Sequence, residues 1–70
     1  MPRNPVHLGR DISRLRKAAG VTQEALAERA DISILYVQVL ERGTSIPSLM
    51  IAAKLRRALG CPWEELCRGL

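Results

Sequence analysis

Apolar positions along the chain recur at helical rather than alternating spacing, and glycine, proline and short polar residues cut that pattern into five stretches. Ile12, Leu15 and Ala19 repeat on one helical face, and Gly20, the residue type that most readily ends a helix, stops the run, so a first helix is expected from Gly9. Thr22 is a natural cap for a second helix of about eight residues, with Leu26, Ala27 and Ala30 on its apolar face and Glu24 and Glu28 in its early turns. After the short Asp31-Ile32 connection, Ser33 caps a third helix that ends at Arg42-Gly43. Two short helices so closely joined form a helix-turn-helix. Thr44 to Pro47 is a loop, and Ser48 caps a fourth helix running to Leu59-Gly60, with Leu49, Ala52, Ala53, Leu55 and Leu59 as its apolar set. Pro62 opens a fifth helix in which Trp63, Leu66, Cys67 and Leu70 fall at i, i+3, i+4 and i+7. Pro2 and Pro5 favour extended backbone before all of this, so residues 1–7 are expected as an arm and residues 8–70 as one domain.

Composition narrows the picture. The 70 residues are 47% apolar, but with ten Leu, eight Ala, no Phe and only Tyr36 and Trp63 as aromatics, which favours an all-α fold with one small core. Net charge is +4, and nine Arg against two Lys suit phosphate or carboxylate partners. The charge is unevenly spread: residues 1–20 carry +4, residues 21–41 carry −3 and residues 42–70 carry +3. Arg3, Arg10, Arg14, Lys17, Arg42 and either Lys54 or Arg57 are therefore the candidate sources of phosphate attraction, flanking an acidic helix pair.

Other classes fall away. No apolar run approaches the ~20 residues of a membrane span, and Met1 to Pro5 lacks the apolar stretch of a signal peptide, so a cytoplasmic protein is expected. Cys61 and Cys67 read as small packing residues rather than a disulfide, and with His7 as the sole histidine no metal or other cofactor is expected. No nucleophile-base pairing is visible, and Glu64 and Glu65 point to different faces, which argues against an enzyme.

Leu15-Arg16-Lys17, the run Gly20-Val21-Thr22-Gln23-Glu24-Ala25-Leu26-Ala27-Glu28, Ile32-Ser33, Leu40-Glu41-Arg42-Gly43, Pro47-Ser48-Leu49 and Leu59-Gly60 together resemble the phage repressor and Cro (XRE-type) helix-turn-helix family over roughly residues 8–68. The resemblance implies a compact five-helix domain that binds double-stranded DNA as a homodimer and regulates transcription. Alone, Gln23 at a helix start is an ordinary solvated amide; within the pattern it becomes a phosphate clamp beside free backbone N–H groups. The resemblance adds Arg42, Thr44 and the backbone of Ser48 as further phosphate contacts. It also implies a structural ion pair between Arg16 and Glu41, the alternative being two separate solvated charges.

The third helix departs from the family. At 100° per residue Val37 and Leu40 face inward, Tyr36 lies at the boundary, and Ile34, Leu35, Gln38, Val39 and Arg42 face outward, following the Ser33 cap. The resemblance puts Ile34, Leu35 and Val39 at the positions that most often read bases, where polar residues are usual, and leaves Gln38 as the main hydrogen-bonding candidate. Such a face can meet thymine methyl groups, dock a protein partner, or be merely adhesive, and Ile46, Met50 and Ile51 enlarge it. The leading expectation is a DNA-binding regulator; the alternative is a protein-interaction module of antitoxin-like or anti-repressor-like type. Trp63, Cys67 and Leu70 are the candidate dimer surface, with Trp63 and Leu66 expected mostly in the core; the alternative is that all four only close the domain. Arg56, on the fourth helix where a small apolar residue is usual, is expected to reach outward along its stem.

Overall fold

The computed structural model describes residues 5–67, with the side chain of Cys67 left out. Five helices follow one another: α1 Pro5–Ala18, α2 Gln23–Ala30, α3 Ile34–Arg42, α4 Leu49–Leu59 and α5 Trp63–Cys67. Each of the middle three starts where a hydroxyl can take an orphan N–H. Thr22 Oγ1 accepts from Ala25 N at 3.0 Å, Ser33 Oγ from Tyr36 N at 3.1 Å and Ser48 Oγ from Ile51 N at 3.2 Å. Each such cap stabilises its helix by about 1 kcal/mol. The C-terminal ends turn left-handed at Asp31, Gly43 and Gly60, and Asp31, at φ 57°, is the one without glycine's freedom. An aspartate tolerates that conformation better than most residues, which keeps the α2–α3 connection to three residues, Asp31, Ile32 and Ser33.

The core draws on every helix. Ile12 of α1, Leu26 of α2, Val37 and Leu40 of α3, Leu55 of α4 and Leu66 of α5 are its largest fully buried side chains. Burial of each contributes about 1.5–3 kcal/mol. The third helix rests on α1 and α2, α4 packs on α2, and α5 closes against α1. No strand occurs among the described residues, and no helix is long and apolar enough to cross a membrane.

Three boundaries and registers differ from the sequence expectation. First, α1 begins at Pro5 rather than Gly9, so residues 5–7 are helical and not part of an arm; residues 1–4, with Arg3, lie outside the described residues. A proline breaks a helix interior but suits the first turn, and the early start lets Leu8 bury completely in the core. Second, α4 is rotated: Ile51, Ala52, Leu55, Ala58 and Leu59 line its inner side, whereas Leu49 is 79% exposed. Ile51 therefore belongs to the core side and not to the outward apolar surface. Third, Trp63 is not a core residue; Leu66 takes the inward position of α5, and the Trp63 ring, 38% exposed, lies under Arg56 with its guanidinium carbon 5.3 Å from the ring centroid. Arg56 does not simply reach into solvent, because its Nε is buried and finds no acceptor among the described residues.

One close approach holds α1 against α3. Gly9 is buried in mid-helix, and a Cβ there would lie 2.5 Å from the carbonyl oxygen of Leu40 and 2.7 Å from that of Glu41. Gly43 has the same role at the end of α3: it sits at φ 80°, and a Cβ would meet Val6 Cα at 2.7 Å. Backbone atoms cannot swing aside as a side chain would. Gly9→Ala is therefore expected to lower stability by about 1–3 kcal/mol through overpacking, read as a lower urea midpoint. Gly20→Ala, where φ is 70° and nothing lies within 4 Å, is expected to cost only about 1 kcal/mol of backbone strain.

Candidate nucleic-acid interface

The α2–turn–α3 unit is held from beneath by a polar cluster with Glu41 at its centre. Arg16 of α1 donates from Nε to Glu41 Oε2 at 2.7 Å and from Nη2 to Oε1 at 3.2 Å, a two-pronged pair. Its Nη1 donates to the carbonyl oxygen of Val21 at 3.0 Å, so the guanidinium also fastens the α1–α2 connection. Only 13% of the Arg16 side chain and 8% of the Glu41 side chain is exposed. Gln23, the first residue of α2, donates from Nε2 to Glu41 Oε1 at 3.2 Å, and Gln38 Nε2 points to Gln23 Oε1 at 3.5 Å. One carboxylate thereby ties together α1, the start of α2 and the end of α3.

This cluster changes the roles of two candidates. The Gln23 amide faces Glu41 and Gln38, so an anion at the start of α2 would meet chiefly the backbone N–H groups of Gln23 and Glu24; the third, of Ala25, is taken by Thr22. The Gln38 amide, half-buried, is directed back along the same cluster rather than outward. Neither orientation is visible in a residue pattern, because both depend on which side-chain rotamer the neighbouring helix accommodates.

The outward surface is apolar at its near end and cationic at its far end. Ser33 and Leu35 are exposed, Leu35 by 64%, while Ile34 is 38% exposed and Val39 is half-buried. Tyr36 is half-buried against the core. Arg42 and Thr44 are exposed, with Thr44 Oγ1 donating to the carbonyl oxygen of Val39 at 3.2 Å; Ser48 is exposed with its hydroxyl engaged as a cap. Ile46 and Met50 add exposed apolar area in the loop and at the start of α4. Arg10, Ser13, Arg14 and Lys17, together with Glu41, line an open groove of about 450 Å³ along α1. Arg14 also approaches Asp11 at 3.6 Å and Glu65 at 3.5 Å, exposed pairs that contribute little to stability. Trp63 is exposed; the Cys67 side chain and Leu70 lie outside the described residues. Among those residues no cluster of His, Cys, Asp and Glu could hold a metal ion, and Cys61 is buried.

The family model for the helix-turn-helix matches residues 12–66. An uncharacterized HTH-type transcriptional regulator of Methanothermobacter thermautotrophicus is 47% identical over 45 residues, a match that spans 64% of this chain and 65% of that protein. The uncharacterized HTH-type transcriptional regulator y4dJ of Sinorhizobium fredii is 37% identical over 59 residues, 84% of this chain and 77% of its own length. Among solved structures, the restriction-modification controller protein C.AhdI of Aeromonas hydrophila superposes with a TM-score of 0.85 at 37% identity, covering 89% of this chain and 94% of its own. The clp gene regulator ClgR of Corynebacterium glutamicum gives 0.87 at 30% identity, covering 99% and 90%.

The buried pair is testable without any ligand. Arg16→Ala or Glu41→Ala leaves one charge uncompensated, and each is expected to lower the free energy of unfolding by about 3–5 kcal/mol, against a total of about 4–10 kcal/mol for 70 residues. Urea denaturation of both singles and of an Arg16→Met, Glu41→Leu double variant checks this: the double is expected to recover much of the loss. Singles no more costly than removal of exposed Arg57 would show that the cluster holds nothing.

Proposed function

The chain belongs to the helix-turn-helix family of XRE type, a family of DNA-binding regulators, and on that premise we propose that it is a sequence-specific, non-enzymatic transcriptional regulator. In this reading it acts in the cytoplasm as a homodimer on a palindromic operator, with α3 in the major groove of double-stranded DNA. The observation that carries it is the fastening of α3 from below by Glu41, Arg16 and Gln23, together with the exposure of Ile34 and Leu35 on its outer side.

Charge supports the same docking. The N–H groups at the start of α2, Arg42 at the last position of α3, Thr44 just beyond it, and the backbone at Ser48 are the phosphate contacts of this reading, with Arg10 and Lys17 of α1 adding longer-range attraction. These contacts set position and affinity, while Ser33, Ile34, Leu35, Tyr36 and Val39 are left to the groove and the Gln38 amide stays turned toward Gln23. One short helix reads few base pairs, so two copies with half-sites ~34 Å apart give useful specificity. Exposed Trp63 on α5 is the part of the candidate dimer surface, with Cys67 and Leu70, that the described residues include.

A second reading, docking of a protein on the same side, is favoured by Leu49 at 79% and Met50 at 71% exposure. The triple change of Ile34, Leu35 and Val39 to Ser separates the two: altered sequence preference on DNA supports the first, and loss of a co-purifying protein with unchanged DNA binding supports the second.

Selection from a random duplex library at two salt concentrations is expected to enrich a palindrome. Arg42→Ala is expected to weaken binding to all duplexes by about tenfold and to lower the salt slope by about one unit. Gln23→Ala, which removes no charge, is expected to weaken binding with the slope unchanged. No enriched duplex, together with a purely monomeric protein at micromolar concentration in the ultracentrifuge, would refute the proposal.

A further inference from the structure

Along α3 the polar side chains are few and mostly engaged, with Tyr36 lying half-buried against the core at the edge of the outer face. Val37 and Leu40 are buried in the core. Both carboxylate oxygens of Glu41 are taken by Arg16, and Oε1 also receives Gln23. The Gln38 amide is half-buried and turned toward Gln23, and Arg42 stands at the last position of the helix. What remains at the open end is Ile34, Leu35 and Val39. Leu35 and Val39 lie i, i+4 on one face, with Ile34 beside them in the first turn.

We propose that α3 selects its site by the C5-methyl groups of pyrimidines, read by Ile34, Leu35 and Val39, rather than by hydrogen bonds to base edges. This rests on the DNA-binding reading above and names what that surface recognises. In the major groove, thymine alone among the ordinary bases presents an apolar group, its C5-methyl, and 5-methylcytosine presents the same group. Branched aliphatic side chains bury such methyls well. Against a G·C pair the same side chains would strip water from O6, N7 and N4 without replacing its hydrogen bonds, which selects against unmethylated G·C at the contacted steps. The charge pattern agrees: residues 23–42, which span α2, α3 and their connection, carry −2, so they have little net electrostatic attraction for DNA of their own, and the flanking cations hold the backbone while the apolar face discriminates.

The test uses the full chain and the best duplex from the random selection. Each thymine is replaced in turn by deoxyuridine, which deletes one methyl and leaves the hydrogen-bonding edge intact. At two or more positions per half-site the dissociation constant is expected to rise by about threefold to tenfold. Leu35→Ser, at a site 64% exposed and so with little effect on folding, is expected to abolish that difference at one of them. Replacing the T·A pair by C·G at the same position is expected to weaken binding, and 5-methylcytosine in place of the cytosine to recover part of that loss. If every deoxyuridine duplex binds within twofold of its parent while scrambled duplexes still compete poorly, the methyl reading is overturned and DNA binding stands. Equal losses on thymine and deoxyuridine duplexes in Leu35→Ser also overturn it. If no duplex is selected at all, the DNA-binding reading itself fails.

Discussion

A carboxylate buried near the end of a helix must be answered by positive charge and hydrogen bonds, and at Glu41 the answer comes from two other helices. Arg16 reaches it from α1 with two nitrogens, and Gln23 from the first residue of α2. Removing the two charges from water costs several kcal/mol, so the net stabilisation of the intact pair is small. Its consequence is geometric. The pair permits one arrangement of α1, α2 and α3, and the third Arg16 nitrogen extends the constraint to the Val21 carbonyl in the connection between the first two. Gly9 lets α1 come close enough to the carbonyls of Leu40 and Glu41 for the contact to form.

From that fastening the outer face follows. With Val37 and Leu40 turned inward and Glu41 consumed, α3 has one free side, and on it the chain carries Ile34, Leu35 and Val39. The acidic charge of the α2–α3 pair and the basic charge of its flanks divide the work between two kinds of contact. Cations and N–H groups hold a phosphate backbone in register; an aliphatic surface distinguishes what lies between the strands.

Much of this was legible in the residues. Caps are local, so Thr22, Ser33 and Ser48 announce the starts of α2, α3 and α4, and the short hydroxyl-to-N–H distances carry them out. Inward positions on α3 follow from helical geometry, which puts Val37 and Leu40, three apart, on one face. The start of α1 is less legible because proline is both a breaker and a good first-turn residue. On α4 the run from Leu49 to Ala53 is apolar at every position, so periodicity admits two registers, and only packing against the rest of the core selects Ile51 and Ala52 over Leu49. Trp63 is displaced from the core because Leu66 already fills the inward position of a five-residue helix. The orientations of the Gln23 and Gln38 amides are rotamer choices made by contacts across helices, beyond the reach of spacing.

The central claim is that a fastened α3 presents its aliphatic face to the floor of the major groove. The most direct measurement is an isotope-filtered NMR spectrum of the methyl-labelled protein on its selected duplex. Cross-peaks from the Ile34, Leu35 and Val39 methyl groups to thymine C5-methyl protons are the expected result. Methyl signals of these residues that stay at their free-protein positions in a saturated complex would contradict it.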